Sequence, residues 1–256
     1  MSNERILFSV ENSIATVSLN RPDKANSFDG EMWLALEDTA DAIRKNPDVK
    51  VVLLTGEGKS FCGGLDINKA SSEGLFLGDR TLRSGTETLS YLSEVLTLYE
   101  KLPVPVIAAI RGGCIGLGLE LALVCDFRLA SESAVFSIPE VVFGLVPDCG
   151  GTQRLPRLIG PAMAKELIYT GRRVDAAEAL RIGLVNHIYP ENELMDKVNE
   201  IAQSIAANPE EAVQASKRSI NAAMNMTLEA GLKFETAAAE AVLGEKLKSM
   251  IKTDLA

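Results

Sequence analysis

The sequence predicts an α/β protein in which a core of buried parallel strands is followed by a helical C-terminal part. Three observations lead to this fold class. Short apolar runs rich in β-branched residues alternate with amphipathic stretches as far as about residue 150, which is typical of strands alternating with helices. Short glycine-containing turns follow the strands, and beyond residue 150 most segments have helical periodicity. A length of 256 residues with 46% hydrophobic content is enough for a sizeable core.

The first half of the chain contains a predicted hairpin, a capped helix and three buried strands. Two short β-like runs meet at Glu11-Asn12, which we interpret as a hairpin turn. Asp29 is placed to cap an amphipathic helix that continues to about Lys45. Continuous apolar runs are typical of parallel strands that are buried on both faces. The predicted elements are strands at 5–10 and 13–19, the helix to Lys45, a strand at 49–55, a helix at 91–101, a strand at 104–110, a helix at 116–124 and a strand at 126–130.

The second half of the chain is predicted to be mostly helical. Helices are expected at 151–159, 161–170, 175–181, 191–207, 210–225 and 227–249, with one short strand at 184–188. We therefore divide the chain into a core of residues 1–195 and a helical C-terminal region of residues 196–256. Residues 69–88 are polar and weakly patterned, and we interpret them as a mobile segment beside a site or as a plain surface loop.

Charge and cysteine content narrow the class of protein. The net charge is −9 and no basic stripe offsets it, which argues against nucleic-acid binding. The four cysteines form no CxxC pair and no zinc spacing, so we expect reduced and mostly buried thiols. The first ten residues do not resemble a signal peptide, and no apolar run is long enough to cross a membrane. We expect a cytoplasmic protein that binds no membrane.

Two glycine-rich turns each follow a predicted buried strand. One covers Phe61-Cys62-Gly63-Gly64-Leu65-Asp66, and the other runs from Gly112 to Glu120. Glycine permits positive φ and close approach of a ligand to the backbone. Two N–H groups from two such turns, one of them at a helix N-terminus, are able to form an oxyanion hole for a carbonyl oxygen. The alternative is that both are only tight turns. The spacing of Gly116 and Gly118 does not match a dinucleotide fingerprint.

Three acids lie in apolar surroundings. Glu120 is inside an otherwise apolar helix, Glu140 has apolar neighbours on both sides, and Asp148 follows a Val-Pro pair. Burying a carboxylate is costly, so acids in such places are often functional. If two of them meet, one is able to stay a base while its partner holds a proton. The alternatives are an ion pair of Glu120 with an arginine of a neighbouring subunit, a strand-edge position for Glu140, and a helix-capping role for Asp148.

Other chemistries find little support in the sequence. His187 is the single histidine, no Gly-x-Ser-x-Gly elbow is present, and no histidine-rich metal motif occurs. We interpret His187 as structural and expect neither a metal ion nor a redox cofactor.

In combination, these motifs resemble the enoyl-CoA hydratase/isomerase (crotonase) superfamily over nearly the whole chain. The matching stretches are Arg21-Pro22-Asp23-Lys24-Ala25-Asn26-Ser27-Phe28, the turn from Ser60 to Ile67, Cys114 to Ala122, Pro139-Glu140, and Gly144 to Thr152. The resemblance implies a ββα-spiral core with a helical trimerisation region, assembled as a homotrimer or a dimer of trimers. It also implies an acyl-CoA substrate, with coenzyme A entering only as part of that substrate.

The resemblance assigns roles residue by residue. The N–H groups of Leu65 and Leu117 would form the oxyanion hole, although the position of Leu117 is usually glycine or alanine. Glu120 and Glu140 match the two glutamates with which hydratases hold the added water and protonate Cα. The residues that match the lining of the CoA nucleotide site are Lys24, Ala25, Cys62, Asp66 and Ile67.

Two departures from the family pattern leave alternatives open. Asp148 stands where hydratases usually have glycine and matches the extra acid of dienoyl-CoA isomerases, but those isomerases typically have aspartate at the position of Glu120. With both glutamates present we favour a hydratase over a double-bond isomerase, and we keep a non-catalytic acyl-CoA-binding subunit as a third hypothesis. The stretch 246–252 lacks the usual acidic-glycine-aromatic pattern, so no CoA-phosphate lysine is assigned there. We expect residues 69–99 to shape the acyl pocket.

Overall fold

The computed structural model describes residues 5–67 and 85–254, and for residues 85–86 and 245–254 it describes the backbone alone. The strands within these ranges are β1 (Ile6–Glu11), β2 (Ile14–Leu19), β3 (Val51–Gly56), β4 (Val106–Ile110), β5 (Gly113–Ile115), β6 (Phe127–Ser131), β7 (Val135–Ser137), β8 (Val174–Asp175) and β9 (His187–Tyr189). The helices are α1 (Gly30–Lys45), α2 (Gly85–Glu100), α3 (Leu117–Leu123), α4 (Gly151–Ile159), α5 (Pro161–Thr170), α6 (Ala176–Arg181), α7 (Leu194–Ala206), α8 (Glu210–Ala223) and α9 (Leu228–Asp254).

The strands form two sheets. The larger has six strands in the order β1-β2-β3-β4-β6-β9, and the smaller has three in the order β5-β7-β8. In the larger sheet only the β1–β2 pair is antiparallel. Its hairpin turn has positive φ at Asn12 and Ser13, one residue later than the predicted turn. β3 and β4 are buried along their whole length, as expected for parallel strands covered on both faces.

Alternation along the central strands assigns their side chains to two apolar clusters. Val52 and Leu54 pack into the cluster that also contains α1 and α2, whereas Val51 and Leu53 pack into the cluster that contains α7. Successive side chains of a strand point to opposite faces, so helices cover both faces of the sheet. The predicted boundary at residue 195 falls inside α7, which packs on the sheet through Leu194, Val198 and Ala202. The division into two domains stays a prediction.

The smaller sheet begins at a sharp turn after β4. Gly112 has φ +54°, and a Cβ atom there would collide with the carbonyl oxygen of Lys59. Glycine is therefore required where the chain leaves β4 and enters β5. β5 pairs with β7 in parallel, and β7 pairs with β8 in antiparallel orientation. This arrangement stacks the turn after β3 against the turn after β4.

The C-terminal helices pack on each other and are tied to the core by an ion pair between the buried Lys217 and the more exposed Asp126. Lys217 of α8 lies 2.8 Å from Asp126 Oδ2 and donates a hydrogen bond of 2.9 Å to the carbonyl oxygen of Val104. Several large apolar side chains on or beside α8 and α9 stay exposed in the single chain. We call them the C-terminal apolar face, which consists of Ile220, Met224, Met226, Leu228, Leu232, Phe234 and Leu243.

Most predicted elements are confirmed to within a few residues. Asp29 caps α1 by accepting a hydrogen bond from the Met32 N–H, and the helices after residue 150 occur in the predicted order. The strand predicted at 184–188 is wrong in its first half, because Leu184 and Val185 are buried in the turn after α6. Predicted features within residues 68–84 lie outside the described residues. Within the described ranges, no helix combines the length and apolar character that crossing a bilayer requires.

Candidate active site

The two predicted glycine-rich turns lie against each other. Cys62 and Cys114 form a parallel bridge, with the Cys62 N–H donating to the Gly113 carbonyl oxygen at 2.9 Å. Gly64 has φ +96°, and a Cβ atom there would lie only 2.8 Å from the carbonyl oxygen of Ile115. The first turn therefore approaches the second so closely that only glycine fits at the contact.

The closely packed turns bring two backbone donors to one cavity. A Cβ atom on Gly64 would be 3.7 Å from the Leu117 nitrogen, which begins α3. Leu65 and Leu117 both line the cavity, and among the described residues neither N–H has a backbone acceptor. A pair of fixed N–H groups with no backbone acceptor in the described part of the chain is compatible with an oxyanion hole. The oxyanion hole stays a prediction, and so does the alternative that both segments are only tight turns.

The cavity has a volume of about 490 Å³ and a largely apolar wall. Leu89 and Leu92 of α2 belong to this wall, and residues 69–84 lie outside the described residues, so the expectation that residues 69–99 shape the acyl pocket stays a prediction. The further large apolar residues that line it are Trp33, Ile67, Val142, Phe143, Leu145 and Val146. Polar groups are concentrated in three acids, which are Glu120, Glu140 and Asp148.

Glu120 projects from α3 and is 2% exposed. Its Oε1 accepts a hydrogen bond of 2.8 Å from the N–H of Gly151. The pKa of Glu120 is raised to about 8, mainly by burial. The N–H groups of Gly151 and Cys149 lower this pKa, whereas the charges of Glu140 and Asp148 raise it further. Within the described chain its hydrogen-bond partner is the backbone at the start of α4 rather than an arginine.

Glu140 begins a short 3-10 turn, Glu140–Phe143, and does not lie on a strand edge. A Cβ atom on Gly116 would be 2.7 Å from its Oε1, so this carboxyl lies directly beside the second glycine-rich turn. Its Oε2 is buried and has no hydrogen-bond partner among the described residues. Burial raises the pKa of Glu140, and the charge of Asp148 adds to the effect. Glu140 lines the cavity, and a buried oxygen without a protein partner is commonly satisfied by a water molecule or a ligand.

Asp148 lies at the same end of the cavity as Glu120. One of its carboxylate oxygens lies within 4.8 Å of a carboxylate oxygen of Glu120 and of the Cys149 sulfur. The predicted alternative of a helix cap is wrong, because the N-cap of α4 is Gly150 and no side chain caps it. The three acids that the sequence singled out are therefore gathered in one cavity.

Two lining residues were missed by the sequence analysis. Cys149 is a buried thiol whose pKa is raised by burial and by the nearby acids, and Arg173 is the one basic residue among the described residues that line the cavity. The position of Cys149 next to Asp148 was a signal for the first. For Arg173 the sequence contains no such signal, since it follows the distant helix α5.

The residues predicted to line the CoA nucleotide site fall into two groups. Ile67 is 51% exposed and lines the cavity. Lys24 and Ala25 are exposed, and a Cβ atom on the cavity-lining Gly63 would lie 3.3 Å from that of Ala25. By contrast, Cys62 is fully buried with its pKa raised to about 12 by burial, and the Asp66 carboxylate is held by Arg21 at 3.0 Å. A role in CoA binding stays a prediction for all five residues.

Comparison with known proteins identifies the family of the chain. The family model described as enoyl-CoA hydratase/isomerase matches residues 9–252. The chain belongs to this family. A crotonyl-CoA hydratase of Syntrophomonas wolfei is 38% identical over 92% of this chain and 88% of its own length.

Solved structures of enoyl-CoA hydratase/isomerase proteins share the fold. An enoyl-CoA hydratase from Bacillus anthracis is 38% identical, covers 97% of this chain and 96% of its own, and superposes with a TM-score of 0.87. A Thermobifida fusca protein in complex with acetoacetyl-CoA is 31% identical, with coverage of 94% and 96% and a TM-score of 0.87. The crotonase-type α/β fold with a helical C-terminal region is thereby confirmed. The chain is an enzyme of the enoyl-CoA hydratase/isomerase family, so the hypothesis of a non-catalytic subunit is not supported.

Proposed function

We propose that the protein is a 2-enoyl-CoA hydratase, which adds water across the 2,3 double bond of a thioester through an enolate. One observation carries the proposal: Glu120 and Glu140 line the same cavity as Leu65 and Leu117, the residues whose N–H groups are proposed as the oxyanion donors. A relative that is a crotonyl-CoA hydratase supports a short acyl group as the substrate.

The two backbone donors act on the thioester oxygen. Negative charge develops on this oxygen when a nucleophile attacks C3 of the conjugated system. The N–H groups of Leu65 and Leu117 would hold the oxygen in an apolar cavity, where preorganised donors are worth more than in water. Loss of a single donor of this kind typically lowers kcat by about 10²–10³-fold.

The two glutamates handle the water and its protons. As the water oxygen bonds to C3, a carboxylate takes up one water proton, and a carboxylic acid delivers a proton to C2. Two nearby acids with raised pKa values are suited to this division, because one is able to remain neutral while the other is charged. The unpartnered Oε2 of Glu140 supports a water-holding position.

Further parts of the proposal follow from the family. Coenzyme A enters as part of the substrate, at the rim formed by Ala25 and Ile67, and the reaction uses no metal ion or other cofactor. The C-terminal apolar face supports assembly as a homotrimer or a dimer of trimers. Four free, buried cysteines support a cytoplasmic location.

Hydration of crotonyl-CoA tests the proposal directly. The purified protein is expected to bleach the absorbance of the conjugated enoyl thioester, and the product is expected to gain the mass of one water. Glu120→Gln and Glu140→Gln should each lower kcat by at least about 100-fold, because each removes a proton-transfer group. Glu200→Gln is the matched control, since Glu200 is an exposed residue of α7 outside the cavity. Full activity of either cavity variant would refute the mechanism.

The presence of Asp148 in the cavity favours a double-bond isomerase as the second candidate. In that reaction Glu140 and Asp148 would move a proton between two carbons of a 3-enoyl- or 3,5-dienoyl-CoA. The product would then keep the mass of the substrate and gain conjugated absorbance. An isomerase should lose most of its activity in Asp148→Asn, whereas a hydratase should tolerate this change better than the change at either glutamate.

A further inference from the structure

The N–H of Leu65 is held in place by the segment that precedes α1. On one side of Leu65, the Gly64 carbonyl oxygen accepts a hydrogen bond of 2.8 Å from the Phe28 N–H. On the other side, the Asp66 N–H donates a hydrogen bond of 2.9 Å to the Phe28 carbonyl oxygen. Leu65 is thus fixed like a residue in a parallel strand, and its direction depends on where Phe28 lies.

Arg21 links the same two segments through its side chain. Its Nη1 donates a hydrogen bond of 2.6 Å to the carbonyl oxygen of Ser27, and its Nη2 donates one of 3.0 Å to Asp66 Oδ2. Its Nε lies 3.5 Å from Asp29 Oδ2. The guanidinium therefore contacts the residues on both sides of Phe28 and the residue directly after Leu65.

The position of Arg21 is buried and lies outside the cavity. The residue is 6% exposed and does not line the cavity, so it has no direct route to the thioester. A guanidinium presents several donors in a rigid plane, and this shape suits a link between two backbone segments better than an ammonium does. Asn26 holds the other end of the turn, with its Nδ2 donating to the carbonyl oxygens of Ser60 at 2.7 Å and Phe61 at 3.2 Å.

We propose that Arg21 is a positioning residue which, through Asp66 and Ser27, sets the direction of the Leu65 N–H and so the strength of the oxyanion hole. This gives Asp66 a second role beside the one predicted for it in CoA binding. The inference rests on the proposed function, because it assigns Leu65 as one of the two donors. It predicts an effect on the transition state rather than on substrate binding.

The test measures carbonyl polarisation separately from turnover. Wild type and variants are mixed with an excess of butanoyl-CoA labelled with ¹³C at the thioester carbonyl. This ligand has no double bond between C2 and C3, so the enzyme cannot hydrate it. The carbonyl stretch is recorded by difference infrared spectroscopy. In the wild type the stretch should fall below that of free butanoyl-CoA, and in Arg21→Met it should return most of the way to the free value. Arg21→Lys should be intermediate, because an ammonium reaches fewer of these partners.

Turnover of crotonyl-CoA should change in the corresponding way. Arg21→Met is expected to lower kcat by about 10- to 100-fold, since a displaced donor loses part of its effect on the transition state. KM should change by less than about threefold, because the lost contact is made mainly in the transition state. Asp66→Asn leaves Arg21 in place. It should shift the carbonyl stretch and kcat in the same direction as Arg21→Met, by a smaller amount.

Lys217→Met is the matched control for loss of an ion pair made by a buried basic residue. It breaks the contact with Asp126 outside the cavity, and should lower Tm without moving the carbonyl stretch. A wild-type carbonyl stretch in both Arg21→Met and Asp66→Asn would overturn the positioning role while leaving the proposed function intact. A wild type that binds butanoyl-CoA without any shift of the stretch would instead overturn the oxyanion hole, and the role of Arg21 with it.

Discussion

Glu120 is a single carboxyl group whose charge is decided by its surroundings. Burial in α3 disfavours the carboxylate, while the N–H of Gly151 at 2.8 Å favours it. The balance leaves the pKa at about 8, well above the ordinary value of 4.5. A proton is therefore held on this side chain at a pH where an exposed glutamate is charged.

The raised pKa of Glu120 predicts a pH-dependent stability difference. Between pH 4.5 and about 8 the unfolded chain releases the proton that the folded protein keeps, so the contribution of Glu120 to stability falls as pH rises through this window. Glu120→Gln does not titrate and still offers an oxygen to Gly151. Its Tm relative to the wild type should rise from pH 5 to pH 8 and then level off, as measured by differential scanning calorimetry. A difference that is constant with pH would contradict the assignment.

Single residues of the site were predictable to different degrees. The apolar neighbours of Glu120 and Glu140 in the sequence indicated their burial, because a helix or turn of such residues has to face a core. The link between Arg21 and Asp66 was not predictable, since the two residues lie 45 positions apart and only the packing of the turns brings them together. Family resemblance indicated both motifs but not their contact.

At the scale of helices and strands, the turn that begins α4 fixes the position of the Glu120 carboxyl. Gly151 is buried in the first turn of α4, and a Cβ atom there would lie 2.6 Å from Ile138 Cδ1, 2.8 Å from Pro147 Cβ and 2.9 Å from Glu120 Oε1. Each of these separations is shorter than a normal contact. The absence of a side chain allows the N–H of Gly151 to reach the carboxyl.

Gly151→Ala should therefore displace Glu120 or the start of α4. We expect kcat for crotonyl-CoA hydration to fall by about 10- to 100-fold, because small displacements of a proton-transfer group have large effects on rate. Gly231→Ala is the matched control, since a Cβ atom on Gly231 in α9 would meet nothing within 4 Å. It should keep full activity and a slightly higher Tm. Equal kcat values for the two variants would show that the close packing at Gly151 is not needed for catalysis.

Elements with local signals were predicted better than elements that depend on pairing. The cap at Asp29 and the apolar stripe of α1 are properties of the segment itself, and the helix occurs as predicted. β9 begins later than predicted, because Leu184 and Val185 are buried by the turn after α6 and do not join the ladder with β6. Apolar character in the sequence does not distinguish a residue buried in a strand from a residue buried in a turn.

The C-terminal apolar face matters at the scale of the whole molecule. Ile220 is 68% exposed and Leu228 is 80% exposed in the single chain. An interface at α8 and α9 would cover such side chains. The strand order β4-β6-β9 was not predictable from periodicity, since nothing local in the sequence states which strands become neighbours. The resemblance implied a ββα-spiral core but gave no strand order.

The proposed trimer or dimer of trimers predicts one defined assembly in solution. Sedimentation velocity should show a species of three or six chains for the wild type. Leu232→Glu should shift the distribution toward smaller species, because it places a charge in the apolar face. Lys233→Glu changes the charge of the neighbouring exposed residue and should leave the assembly unchanged. A monomeric wild type would contradict the proposal.

The segment of residues 140–146, which begins with the 3-10 turn Glu140–Phe143, carries Glu140 and four apolar residues of the cavity wall, namely Val142, Phe143, Leu145 and Val146. A substitution made there to accept a bulkier acyl tail would also shift the proton-transfer group at the start of the same segment. α2 contributes Leu89 and Leu92 to the lining and none of the three acids. Redesign of substrate range, whether by selection or in the laboratory, is therefore least damaging to the chemistry when it starts from α2.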